Sequence, residues 1–169
     1  MPIPPNSHLK ALVAEAAAPL DRSNAAALMA RGLARFFAAH GLVSLAEVTL
    51  GSGRRADLVC LDARSRVTII EIKSSPEDFR SDQKWPEYLD YCDHFYFAVP
   101  EGFPREILPT DQGLMVADGY GATVLRESDD FALNGTRRRA LLLLFAQLAA
   151  GRLQALTDPE GGGGRLETF

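Results

Sequence analysis

Two short segments, Arg55 to Leu61 and Val67 to Lys73, constrain the fold of this chain more than any other feature. Both are rich in β-branched and apolar residues, and the polar run Asp62-Ala63-Arg64-Ser65-Arg66 joins them, so they read as an antiparallel hairpin. With Leu61 facing Val67, the register brings Val59 to Ile69 and Asp57 to Glu71, and two carboxylates land opposite each other on one face. Cβ atoms in such a pair lie about 5 Å apart. At an effective dielectric near 20 the two charges repel by about 3 kcal/mol, and a divalent cation between them is the natural compensation. Lys73 projects from the same face, about 7 Å further along the strand. The opposite face carries Leu58, Cys60, Thr68, Ile70 and Ile72, mostly apolar, as expected for a central sheet covered on both sides. Hard oxygen ligands favour Mg2+ or Mn2+ over zinc, and no histidine cluster is present to bind a softer metal.

The remaining chain supplies helices and strands around that hairpin. From about Ser23, the residues Leu28, Met29, Leu33, Phe36 and Phe37 recur at helical spacing, and Gly41 supplies a stop. Leu42 to Leu50 reads as a strand and Gly51-Ser52-Gly53 as a turn. Ser75-Pro76-Glu77-Asp78 starts a helix, because serine caps, proline suits the first turn and the two acids complement the dipole. Pro86 breaks or restarts it. His94 to Val99, Gly113 to Ala117 and Ala122 to Arg126 read as strands, the last two joined by a turn at Asp118-Gly119-Tyr120-Gly121. A final helix is expected from about Thr136 to Leu153; its apolar run Ala140 to Ala150 is too short to span a bilayer and reads as buried. The order of elements predicts an α/β fold, a mixed sheet flanked by helices with an αβββαβ core.

A chain of 169 residues is the size of one domain. The expected organisation is a loosely ordered segment over 1–22, a single domain over 23–154 and a flexible Gly-rich tail over 155–169. The stretch from Leu9 to Leu20, interrupted by Lys10, Glu15 and Pro19, does not read as a signal peptide. With no candidate membrane span, the expected location is the cytoplasm, the cytosol or nucleoid of a bacterium. Cys60 and Cys92 lie far apart in apolar stretches and read as buried thiols. His8, His40 and His94 lack partners at recognisable spacing and read as surface or turn residues. Net charge is −4, which argues against indiscriminate nucleic-acid binding but not against a local basic site.

Asp57, thirteen intervening residues and Glu71-Ile72-Lys73 resemble the PD-(D/E)XK nuclease signature, and the helix and strand order resembles the core of that restriction-endonuclease-like superfamily. Ala56 stands where the signature's proline would be. A closer likeness lies in Glu47-Val-Thr-Leu50, Gly53-Arg-Arg-Ala-Asp-Leu58, Glu71-Ile-Lys-Ser-Ser75, Asp78-Phe-Arg80, Lys84-Trp-Pro-Glu-Tyr88, Tyr91-Cys-Asp93 and Phe95-Tyr-Phe-Ala-Val-Pro100. By these the chain resembles the MmcB-like family of bacterial DNA repair proteins, through Asp118-Gly-Tyr-Gly121 to the last helix. The resemblance implies a DNA-damage role. It further implies that Asp57 and Glu71 hold the metal with the Ile72 backbone carbonyl as a further ligand, and that Lys73 orients the attacking water and balances phosphate charge.

Around that trio several residues carry two readings. Glu47 is a third carboxylate or a solvated acid paired with Arg54 or Arg55. Those two arginines are ion-pair partners of the acidic cluster or contacts to DNA phosphates. Lys84 and Tyr88, one helical turn apart, are expected to share a face flanking the site, whereas Trp85 reads as core. The run Arg137-Arg138-Arg139 reads as a solvated turn, with a nucleic-acid contact as the alternative. Two functions follow: a divalent-metal-dependent DNA nuclease in damage repair, or a non-catalytic module that binds DNA or a repair partner. The expected partners are DNA and other repair proteins, not a membrane; related folds often pair as homodimers, but no sequence feature marks an interface.

Overall fold

The computed structural model describes residues 22–158. Helix α1 (Arg22–Ala39) is followed by strands β1 (Val43–Thr49), β2 (Arg55–Leu61) and β3 (Val67–Ile72). A short helix α2 (Pro76–Ser81) and a 3-10 segment (Trp85–Tyr91) cross to β4 (His94–Val99). Strands β5 (Gly113–Ala117) and β6 (Ala122–Arg126) precede the long helix α3 (Gly135–Thr157). The six strands form one mixed sheet in the order of the sequence, parallel at β3–β4 and β4–β5 and antiparallel elsewhere. This is the expected α/β architecture, compatible with a restriction-endonuclease-like fold. The expectations for residues 1–21 and 159–169, His8 among them, lie outside the described residues.

Strand positions follow from their composition. All six residues of β3 are buried, as a central strand covered on both faces requires. On one face Met29, Leu33 and Phe37 of α1 pack against Leu58, Cys60, Ile70, Ile72, Tyr96 and Met115. Gly32 permits this close seat, because a Cβ there would run into the carbonyl oxygens of Asp118 and Gly121 at the β5–β6 turn. On the other face Val59, Val67, Ile69, Phe95 and Phe97 meet Tyr88, Leu141 and Phe145. Trp85 is core, stacked on Phe95 at 5.8 Å and edge-on to Phe97 at 5.2 Å. Both cysteines are buried, as expected. His94 is partly buried beside the Asp129 carbonyl, and His40 packs on Phe36.

Two expectations about the last helix need correction. It runs to Thr157, so Ala155, Leu156 and Thr157 belong to it rather than to a tail. Nothing in that stretch breaks a helix until Pro159, which disfavours helical geometry at Asp158. Nor is it a buried helix: Leu141 and Phe145 are its only buried residues, and Leu143, Leu153 and Leu156 are exposed. One narrow ridge suffices to dock it, because arginines at both ends tie it to the sheet. Arg138 is not in a solvated turn; it forms a two-pronged ion pair with Asp93 at 2.6 and 2.7 Å and donates to the Ser65 carbonyl. Asp93 also accepts from the Val67 backbone N–H at 2.7 Å. Burial alone would raise the Asp93 pKa, but these donors outweigh it and hold the carboxyl below its ordinary value. Arg137 pairs with Asp90 and lies over the Tyr91 ring.

Near its far end, Arg152 donates to the carbonyls of Ala46 at 2.6 Å and Glu47 at 3.1 Å. Glu47 has φ +52°, a left-handed conformation that costs a non-glycine residue about 1 kcal/mol or more. The pleat slips there. Leu45 and Val48 share one core, as do Ala56 and Val59, although residues three apart in a regular strand face opposite sides. Glu47 lies between the register pairs Ala46↔Leu58 and Val48↔Ala56, opposite Asp57, and the ladder skips this one position.

Candidate active site

The β2–β3 ladder has the expected register, Leu61↔Val67 through Val59↔Ile69, and ends at Leu58↔Ile70. One step further, Asp57 turns its carboxylate to the exposed end of β3 and accepts from the Ile72 backbone N–H at 2.7 Å. Glu71 and Lys73 project beside it from the end of β3. The Lys73 backbone N–H is fixed to the Ala98 carbonyl at 2.9 Å. Its ammonium lies 2.9 Å from Glu71 Oε1 and 2.6 Å from Asp82 Oδ2. The Lys73 and Glu71 side chains retain only 4% and 8% of their exposure, so this is a buried ion pair.

The other Glu71 oxygen is different: Oε2 is buried and has no hydrogen-bond partner. Burial first, and the neighbouring Asp57 charge second, push the Glu71 pKa from its ordinary 4.5 up to about 8, against the opposing pull of Lys73. Burial also raises Asp57, although the Ile72 N–H and Lys73 counteract it. Lys73 moves the other way from an isolated buried amine. Burial favours its neutral form, but Glu71 and Asp82 outweigh that and raise its pKa, so it stays charged.

A cavity of about 520 Å³ opens over these groups, lined by Asp57, Glu71, Ile72, Lys73, Ser74, Glu77, Asp78 and Ser81, with Ala26 of α1 at its edge. Its far wall is the start of α2, built as the sequence suggests. Ser75 Oγ accepts from the Asp78 N–H at 3.2 Å, while Asp78 Oδ2 accepts from the Ser74 N–H at 3.1 Å. This reciprocal cap fixes the chain directly after Lys73.

The donor set fits a hard divalent cation. An orphaned buried carboxylate oxygen and a second carboxylate with raised pKa, both lining one cavity, suit an ion that keeps several of its own waters. Among the described residues no group of three or more His, Cys, Asp or Glu side chains converges as a ready-made metal cage. The candidate site is accordingly open, with two carboxylates rather than a closed shell.

The other predicted residues are dispersed. Glu47 is exposed and pairs with Arg55 at 3.8 Å, outside the cavity lining. Arg54 makes a two-pronged ion pair with Glu87 at 2.9 and 3.0 Å. Both arginines thus take the ion-pair reading. Lys84 and Tyr88 do not share a helical face. Their segment, entered through Pro86, is a 3-10 helix, whose side chains recur every third residue rather than every fourth. Lys84 is exposed, and its backbone N–H donates to Asp82 Oδ1 at 2.9 Å. Tyr88 is buried with its hydroxyl donating to the Arg55 carbonyl at 2.9 Å. Burial, then the charges of Glu71, Asp57 and Asp82, raise its pKa, so it lies within electrostatic reach of the site.

Sequence reading missed Asp82, the second partner of Lys73. Its signal was an acid closing a helix, where the dipole disfavours negative charge unless a cation waits beyond it.

A family model described as DNA repair protein MmcB-like matches residues 13–160. No curated protein matches the chain. Among solved structures, a Silicibacter pomeroyi protein of unknown function is similar at 45% identity with a TM-score of 0.79, covering 82% of this chain and 94% of that one.

Proposed function

The chain belongs to the MmcB-like family of DNA repair proteins, and from that premise we propose that it is a divalent-metal-dependent nuclease, hydrolysing phosphodiester bonds of DNA during damage repair. The observation that carries this reading is Glu71 Oε2, buried beside Asp57 without a partner. A buried carboxyl oxygen left without a partner costs stability, and a structural ion pair with Lys73 alone would not need Asp57 alongside.

In this reading Asp57, Glu71 and the Ile72 carbonyl hold Mg2+ or Mn2+. When bound, such a cation acidifies water and neutralises charge on the scissile phosphate. Asp57 is oriented by the Ile72 N–H, and Glu71 is oriented by Lys73. The Lys73 ammonium, steadied from behind by Asp82, is a positive group at the cavity wall that orients the attacking water and offsets phosphate charge. Ser74 and Asp78 shape the opposite wall.

One observation favours the rival in its repair-partner form, a non-catalytic module that binds another protein rather than DNA. Arg54 and Arg55 are each matched with an acid, leaving neither as an unpaired phosphate contact beside the cavity. The deciding experiment incubates the purified protein with single-stranded, duplex, flap and junction DNA in Mn2+, beside Asp57→Ala and Lys73→Ala. Cleavage lost in both variants supports the nuclease. Cleavage that neither change affects belongs to a contaminant, and tight binding without cleavage establishes the binding module.

A further inference from the structure

We propose that the outward face of α3 is a self-pairing surface, through which two copies of this chain associate with their α3 helices antiparallel. The helix is apolar along most of its length, yet Leu141 and Phe145 are its only buried residues. Leu141 and Phe145 dock it on the sheet, and Arg138 and Arg152 turn the same way to reach Asp93 and the β1 carbonyls.

On the opposite side lie Arg139, Leu143, Ala146, Ala150, Leu153 and Thr157, all exposed. Their spacing alternates four and three residues, the heptad seam of a coiled coil. Leu143 and Leu153 are 60% and 61% exposed, and together with the alanines between them they form one continuous apolar stripe.

The order of these residues identifies the occupant. Read from either end about position 148, the four inner residues of the seam are a palindrome, Leu-Ala-Ala-Leu. In an antiparallel pair Leu143 meets the partner copy's leucine at 153, Ala146 meets the alanine at 150, and Arg139 falls beside Thr157 and Asp158. The seam spans about 27 Å. Small alanines at its centre let the two backbones approach, with a leucine layer on each side. The ends are complementary in charge, Arg139 against Asp158, and among the described residues neither of these forms an ion pair within its own chain. A self-complementary patch is what a two-fold dimer requires, whereas a different partner would have no need of the symmetry. One helix pair buries less than the ~1,600 Å² of a standard stable interface, so the dimer is weak, in the micromolar range or above. The same helix is long and apolar enough to cross a bilayer by length and composition, but its ties to Asp93 and β1 hold it on the sheet.

Sedimentation velocity on the full chain, from about 5 to about 500 µM, should show the mass rising from one 18.4 kDa copy towards two. Leu143→Lys and Leu153→Glu should each weaken association by about tenfold or more. Mixing the two variants should restore a heterodimer, because one layer then pairs lysine with glutamate while the other keeps two leucines. Both positions are exposed, and circular dichroism melts will show that the variants fold. A chain monomeric at every concentration, a dimer indifferent to both substitutions, or no rescue on mixing would overturn the proposal. So would flotation of the wild type, but not Leu143→Lys, on phosphatidylcholine and phosphatidylglycerol vesicles, which would assign the face to a lipid surface.

Discussion

Replacing Asp57 by asparagine should stabilise the protein without metal while depriving it of its cation. Asparagine keeps an oxygen to accept from the Ile72 N–H, so the local hydrogen bond between β2 and β3 survives. What disappears is the charge beside Glu71. Across a strand pair at about 5 Å and an effective dielectric of about 20, that repulsion amounts to about 3 kcal/mol when both groups are ionised. Glu71 avoids part of it by keeping its proton up to a pH of about 8. A carboxyl whose folded pKa lies above its unfolded value contributes stability that is complete below about pH 4.5 and is lost as pH rises through about 8. In Asp57→Asn burial remains as the main cause of the Glu71 shift, so less is lost. The stability gap between variant and wild type should therefore be small at pH 5 and reach about 2–3 kcal/mol at pH 9, or about 5–10 °C in Tm. Urea unfolding in EDTA at several pH values measures it. Adding Mn2+ at about ten times its Kd should stabilise the wild type by about 1.4 kcal/mol and leave the variant unmoved. Equal stabilities at pH 9, or an equal response to Mn2+, would refute the reasoning.

Further outcomes follow from the same geometry. Lys73→Met leaves Glu71 and Asp82 without their shared cation and should cost about 2–4 kcal/mol in urea unfolding, together with loss of DNA cleavage of at least about a hundredfold. Mn2+ affinity, followed by titration calorimetry, should rise about tenfold per pH unit below about 8 and level off above it, because Glu71 must release its proton to coordinate; a flat profile would remove Glu71 from the ligand set. Arg138→Met should destabilise by about 3 kcal/mol, since Asp93 is left buried and charged, while Mn2+ affinity stays unchanged.

The parts of the fold legible in the sequence are those where one local rule decides. Strands β2, β4, β5 and β6 begin and end where apolar runs meet Gly, Pro or Asp punctuation, and the β2–β3 register follows from a five-residue turn. Asp57, Glu71 and Lys73 meet at one cavity because strand parity is geometry that a sequence carries. Asp82 was hidden because its partner lies nine residues away across a helix, at a position no periodicity marks. Glu47 carried two readings in the sequence, and the ion-pair one holds; only the backbone shows why, since a left-handed residue in mid-strand breaks the alternation. Helix α3 was read as buried because alanine counts as apolar in any hydropathy sum, although its small side chain gains little from burial.

Electrostatics around the cavity bear on the order of events. Its lining carries the acids Asp57, Glu71, Glu77 and Asp78 with Lys73 as its one basic side chain. Lys73 is committed to Glu71 and Asp82, and Arg54 and Arg55 are matched with Glu87 and Glu47. A DNA phosphate approaching the metal-free site would meet net repulsion, sharper because part of the site is dry. On the proposed nuclease reading, productive approach would require the divalent cation to arrive first, so that it discharges the acids before it meets the phosphate. The binding-module reading faces a harder problem, since acids held at the end of a sheet would oppose the ligand it is meant to hold. On the proposed reading, DNA binding at this cavity would depend on the metal, and binding without metal would have to use a surface remote from Asp57 and Glu71.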